Sequence, residues 1–247
     1  MAQTLNPKRP VRRNVPSSAR FSRPKRRWFR EILVAAILAS VSLYLLLGAF
    51  VLALRWVNPL TTMVQIQRRV EAWRAHRPYQ KRYEFVPLSR IAPNLQHAVI
   101  SAEDGRFFQH HGFDWVEMQK VLEDDLRNDR LGRGGSTITQ QLVKNLFLTT
   151  ERSLARKAVE SSVVPIVEGL LTKRRILELY LNVIEWGPGI YGAQAAAEYY
   201  YHENASALSR DQSAHLAAII PAPLKRKPSQ MNRYAAEIEN RMEKTGW

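Results

Sequence analysis

From Ile32 to Leu54 the chain runs for 23 residues without a charge. At about 1.5 Å of rise per residue, a helix of that length spans roughly 35 Å, enough to cross a hydrocarbon layer about 30 Å thick. A stretch this oily is either a membrane anchor or a secretion signal. A secretion signal has an apolar stretch of about 7–15 residues and then small residues at a cleavage site. Here the stretch is longer, and Arg55–Trp56, a pair suited to a membrane interface, comes directly after it. A retained single-pass anchor is the expectation.

The charge distribution gives the anchor a direction. Residues 1–30 hold ten Lys or Arg and no acid, so removing them from the net charge of +15 leaves +5 for everything else. By the positive-inside rule the N-terminal arm stays in the cytoplasm and residues 55–247 are exported. The same arm fits nucleic acid less well than anionic lipid, because a membrane span adjoins it. Prolines 7, 10, 16 and 24 predict that it is disordered. The chain has no cysteine, which excludes disulfides, thiolate metal sites and cysteine nucleophiles.

Five segments are expected: a basic arm over 1–31, the span over 32–54, a membrane-proximal connector over 55–84, a catalytic domain over 85–228, and a C-terminal helix or tail over 229–247. Residues 58–75 predict a loosely amphipathic helix, which either seats on lipid headgroups through Trp73 or simply connects. Prolines 78, 87 and 93 punctuate an extended stretch after that helix, with a short strand expected in the Tyr-Glu-Phe-Val-Pro-Leu run from Tyr83 to Leu88. Farther on, apolar residues recur three and four apart over 95–102, 113–127, 137–147, 151–164, 173–183, 190–201 and 209–220. The exported part therefore predicts one mainly α domain.

Three constellations carry candidate chemistry. Glu103–Asp104 ends an apolar helical run, with Gly105 and then Phe107–Phe108 behind it. A carboxylate against apolar walls has its pKa raised and becomes a proton acceptor near neutral pH. An exposed acid pair at a helix end fits the same residues. Gly132, Gly134 and Gly135 precede a helix start at which Thr137 and Gln140 match a capping box, with Ser136 as the alternative cap. The loop offers backbone N–H groups to an anion, and Gln140 and Lys144 share a helix face beyond it. Thr150 is a fair N-cap for a third helix, on which Arg152, Arg156 and Glu160 fall at steps of four with Lys157 beside them. That stripe is also what a salt-bridged solvent face looks like. Together, an acid in an apolar setting and another within Lys144, Arg152, Arg156 and Lys157 suit transfer from a diphosphate leaving group to a sugar hydroxyl.

These residues resemble a known family. Glu103-Asp104-x-x-Phe107-x-x-His110-x-Gly112 is similar to the first motif of the peptidoglycan glycosyltransferases, and Gly135-Ser136-Thr137-Ile138-x-Gln140-Gln141-x-x-Lys144-Asn145 to the second. Arg152-x-x-x-Arg156-Lys157-x-x-Glu160 and Lys173-x-x-Ile176-Leu177-Glu178-x-Tyr180-Leu181-Asn182 resemble the third and fourth, and Gly187-x-Gly189-x-x-Gly192 continues the pattern. The resemblance implies a lysozyme-like fold of two lobes that joins lipid II units into glycan strands, with inversion and release of undecaprenyl pyrophosphate. By it, Glu103 is the general base. Glu160 supports the pyrophosphate, directly or through Mg²⁺ or another divalent cation, with Lys144, Arg152 and Lys157. Asp104, Phe107, Ser136, Gln140, Asn145 and Arg156 complete the substrate-binding set. The implied partners are lipid II, the growing strand, membrane lipid and other cell-wall synthesis proteins, with no nucleic acid. The implied location is the bacterial cytoplasmic (inner) membrane.

Two departures accompany the resemblance. Pro165 falls within what the family pattern makes a continuous helix from Glu160 to Glu178, where a proline removes a hydrogen bond and kinks the helix. The segment from Pro221 to Arg241 matches a fifth motif only loosely, so no catalytic role is assigned there. Lys244-Thr245-Gly246 and Ser22-x-x-Lys25 are fragments of transpeptidase motifs without the rest, and a monofunctional enzyme is expected. The rival enzymatic reading is a membrane-bound lytic enzyme that cleaves glycan, which would not need a diphosphate cradle.

Overall fold

The computed structural model describes residues 25–128 and 135–247. Two compact units divide the chain, Met1–Leu45 and Leu46–Trp247. The expected arm up to residue 24, and Gly132 and Gly134, lie outside the described residues.

Helix α1 runs Lys25–Ala53 and contains a stretch long and apolar enough to cross a membrane. It starts six residues before the expected limit of the arm at Glu31. Lys and Arg are good helix formers, so the helix does not have to begin where the apolar run begins. Its last residues belong to the second unit, where Val51 and Leu54 are buried in the core and Phe50 meets Phe147 edge-on at 5.6 Å.

Most of the second unit is helical: α2 Met63–Arg74, α3 Pro93–Glu103, α4 Trp115–Asn128, α5 Ile138–Phe147, α6 Leu154–Leu170, α7 Lys173–Val183, α8 Ala193–Tyr201, α9 Arg210–Ile219 and α10 Asn232–Lys244. The starts follow capping chemistry. Thr62, Thr137, Ser153, Thr172 and Ser209 each accept the backbone N–H three residues on. Two groups of helices result: α3, α9 and α10 pack on one another, while α5 packs on α2, α6 and α7. They adjoin where the end of α3 meets the start of α5, and that junction carries Glu103.

The strands are few. β1 (Arg82–Tyr83), β2 (Glu185–Gly187) and β3 (Ile190–Tyr191) form a sheet in the order β1-β3-β2, parallel between β1 and β3 and antiparallel between β2 and β3. The strand expected from Tyr83 to Leu88 is therefore two residues long and shifted back by one. Beyond Tyr83 the chain stays unladdered, because side chains replace a partner strand. Asn182 accepts from the Val86 N–H at 2.9 Å and donates to its carbonyl at 2.9 Å, and Glu178 accepts from the Leu88 N–H at 2.8 Å.

Helix α6 passes through Pro165 without interruption, and the break from α7 comes later, at Leu171–Thr172, where Thr172 caps the next helix. The expected single helix from Glu160 to Glu178 is thus two helices. Pro165 lies one turn beyond Glu160 and leaves it on an unbroken helix. At the C-terminus, Lys244 ends α10 and Thr245 caps it, so the Lys-Thr-Gly fragment is a helix terminus.

Candidate functional site

Helix α3 begins with Pro93 at its first position, where the missing N–H costs nothing, and buries Leu95, Ala98 and Val99. This fixes its rotation and places Glu103, its last residue, beside α5. Gln141 donates from Nε2 to Glu103 Oε2 at 2.6 Å, and its Oε1 accepts from the Tyr180 hydroxyl at 2.9 Å. Loss of water around Glu103 pushes its pKa up. The Gln141 bond and the charges of Lys144 and Arg226 oppose this, and Asp104 adds to it. The carboxyl is thus sheltered but not sealed, as a general base requires.

Asp104 turns the other way. Its Oδ2 accepts the Ile138 N–H at 3.0 Å and its Oδ1 meets His110 Nε2 at 2.8 Å. The Thr137 hydroxyl donates to the Gly112 carbonyl at 2.6 Å, and Asp114 caps α4 through the Glu117 N–H while accepting from Arg106 at 3.2 Å. Asp104, His110 and Asp114 bring polar atoms within 4.8 Å of one another. Each acid takes a backbone N–H, and Asp104 thereby braces the first motif against α5. Gly112 is needed here, since its φ of +86° and a Cβ clash with Val164 exclude a side chain.

Glu160 has the opposite environment. It is 2% exposed, accepts from Arg156 at 2.7 Å and from Lys157, and Lys157 also donates to Ser136 Oγ at 3.1 Å. Half-buried Lys144, on α5, lies in the field of both acids. Burial lowers its pKa, the charges of Glu160 and Glu103 raise it, and Arg156 and Lys157 lower it again. Both oxygens of Glu160 are taken by Arg156 and Lys157. A Mg²⁺ at such a site would take one carboxylate from the protein and its remaining oxygens from substrate phosphates and water.

Several expected site residues fall elsewhere. Phe107 is fully buried beneath Lys173, whose Nζ stands 4.5 Å from the ring centroid, while Phe108 is 54% exposed. The aromatic surface in this segment therefore belongs to Phe108. Gln140 is buried in the capping box, its Oε1 accepting the Thr137 N–H at 2.9 Å, so its neighbour Gln141 is the one that meets the base. Asn145 is buried and donates to the Gln141 carbonyl at 2.8 Å, which steadies that turn of α5. Arg152 is exposed and precedes α6, outside the Arg156–Glu160 stripe. The cap of α6 is Ser153, because Thr150 is held by Gln67 of α2 through two bonds of 2.8 Å. Ser136, Lys144, Arg156, Lys157 and Glu160 do assemble. Sequence reasoning misses Tyr180 and Gln141 as site residues, although both lie in motifs of the family pattern. Helical spacing puts Tyr180 on an apolar face, and only the fold brings its hydroxyl to Gln141.

Comparison with known proteins gives the family. The transglycosylase family model matches residues 69–245. A biosynthetic peptidoglycan transglycosylase of Thiobacillus denitrificans is 48% identical over 192 residues, covering 77% of this chain and 82% of the relative. Its namesake in Laribacter hongkongensis is 44% identical over 191 residues, covering 77% and 84%. A third, from Aromatoleum aromaticum, is 43% identical over 214 residues, covering 83% and 93%. A chain with this helical domain, matched over most of its length and similar to such relatives along nearly all of theirs, belongs to the transglycosylase family.

Proposed function

We propose that this transglycosylase is a peptidoglycan glycosyltransferase that lengthens glycan strands from lipid II, with the growing strand as donor. Glu103 takes the proton from the acceptor's sugar hydroxyl as that oxygen bonds to the donor's anomeric carbon. The bond from that carbon to the diphosphate breaks, with inversion, and the electron pair leaves on the polyprenyl diphosphate. Lys144, Arg156 and Lys157 meet the charge that builds there. Glu160 keeps Arg156 and Lys157 together in the absence of substrate, and Ser136 fixes the Lys157 ammonium from the other side.

One observation carries the reading. Glu103 is bonded by the neutral Gln141 amide, whereas Glu160 is bonded by Arg156 and Lys157, and both carboxylates favour the charged form of the half-buried Lys144. Cleavage of glycan by water would give the cationic side nothing to neutralise. The apolar helix α1 fits a substrate that stays in the bilayer. With the basic arm before that helix, the reading places the N-terminus in the cytoplasm and the catalytic domain on the outer face of the bacterial inner membrane.

The experiment is polymerisation of labelled lipid II by the full chain in detergent or vesicles, with products sized on a gel. Lengthened strands and released undecaprenyl diphosphate are expected. Shortening of preformed strands with no polymer made would establish the lytic reading instead.

A further inference from the structure

The stretch that follows the membrane helix is fastened down, not left as a tether. Val51 and Leu54 are buried in the core of the second unit, and the chain then turns through Arg55 and Trp56. Arg175, in the first turn of α7, reaches three oxygens there. Its Nε donates to the Leu54 carbonyl at 2.7 Å, and its Nη2 donates to the Val57 carbonyl at 3.1 Å and to Asn58 Oδ1 at 2.8 Å. Its Nη1 pairs with Glu178, and its guanidinium carbon stands 5.6 Å from the Phe85 ring centroid. Two more side chains hold the same stretch. The Tyr83 hydroxyl donates to the Pro59 carbonyl at 2.6 Å, and Lys81 Nζ to the Leu60 carbonyl at 3.0 Å.

Helix α7 by itself has no use for this arginine. Its first turn is Lys173-Arg174-Arg175 without an acid, and three cations there oppose the helix dipole. The end of α1 does have a use for it, because carbonyls at a helix C-terminus lack partners and favour a cation beside them. Where water is scarce, as at the edge of a bilayer, an open carbonyl costs more. Farther along, α7 carries Tyr180, whose hydroxyl holds the Gln141 amide that meets Glu103. One helix thus links the exit of the span to the base. Resting on the reading of lipid II as the substrate, we propose that Arg175 is a positioning residue. It clamps the catalytic domain to the exit of its own anchor and fixes the height above the bilayer at which the lipid-borne diphosphate is met. A planar fork suits three oxygens on one stretch of chain, whereas a lysine presents a single point of charge.

Arg175 sets where the site stands and leaves the chemistry alone, so its loss should matter only where there is a bilayer plane. The test uses the full chain with lipid II in two settings, phosphatidylglycerol–phosphatidylethanolamine vesicles and detergent micelles. Misplacing a reacting group by an ångström or so is costly, so Arg175→Ala is expected to lower kcat/KM in vesicles about tenfold, and in micelles by no more than about twofold. Arg175→Lys should recover only part of the loss. An equal loss in both settings overturns the proposal, since faulty folding or chemistry falls on both alike. So does an unchanged rate in vesicles. If Arg175→Ala melts early, Asn58→Ala combined with Tyr83→Phe loosens the same stretch with Arg175 in place, and the same split between settings is required of it. A second measurement needs no turnover. The chain has no cysteine, so Arg233→Cys, at an exposed position on α10, gives one dye site. Energy transfer from that dye to labelled headgroups should report a narrow range of heights, broadened by Arg175→Ala. Identical ranges overturn the proposal. A chain that makes no polymer in either setting would strike the proposed function instead, and the height measurement would still decide the role of Arg175.

Discussion

The two acids of the site are a study in contrast. Glu103 has one strong bond, to a neutral amide, and a carboxyl whose proton affinity has been raised by loss of water. Glu160 is sunk between an arginine and a lysine one turn away on its own helix. The difference comes from local sequence. Glu103 ends α3, whose neighbours in the last turn are Ile100, Ser101 and Ala102, whereas Glu160 follows Arg156 and Lys157 at spacings of four and three on α6. A carboxyl that must pick up a proton is kept apart from permanent ion pairs, and one that must gather cations is surrounded by them.

Glu103→Gln tests the first side and should have the largest effect, a loss of about 100- to 10,000-fold in polymerisation rate with melting nearly unchanged. Equal activity in this variant would mean that the contrast has no catalytic meaning. Glu160→Gln tests the second. It strands Arg156 and Lys157, and the stability cost should be about 2 kcal/mol. That is less than the roughly 3–5 expected for a fully buried pair, since Lys157 is 39% exposed to water. Calorimetry would show it, and turnover should fall with it because the cations lose their common anchor.

Gln141→Ala sharpens the comparison without touching either acid. The lost hydrogen bond had favoured the charged form of Glu103, so its pKa should rise further. The base must be ionised to act, so activity is lost as pH falls through that higher value, and the acid limb of the rate profile should move up. A limb that stays in place would mean that Gln141 only packs. The smallest effect is expected for Arg152→Ala, under about threefold in turnover by the same assay, with melting shifted by less than about 0.5 kcal/mol. Arg156→Ala should exceed it clearly. The reverse order would return Arg152 to the cationic group.

Much of the fold was legible because α-helical periodicity is local. The runs over 95–102, 173–183 and 209–220 correspond to α3, α7 and α9, and the box of Thr137 and Gln140 was visible from two residues. The same box commits the amide oxygen of Gln140 to the cap. The illegible parts depend on distant partners. Thr150 has the chemistry of a cap, but Gln67, 83 positions earlier, claims it, and the helix starts at Ser153 instead. That shift removed Arg152 from the stripe. Of two adjacent phenylalanines, packing into the core takes Phe107 inward and leaves Phe108 outside. Arg241 reaches the Ser101 carbonyl on α3 from 140 positions downstream, where no spacing rule could connect them.

The side-chain amide of Gln141 has a polarity that its surroundings enforce. A phenol donates at one end and a carboxylate, which only accepts, lies at the other, so turning the group over would set oxygen against oxygen at Glu103. Tyr180 holds the oxygen end of that amide, so the end that meets the base is the donor. An enzyme built this way keeps the orientation of its acid in the custody of a residue that solvent never sees.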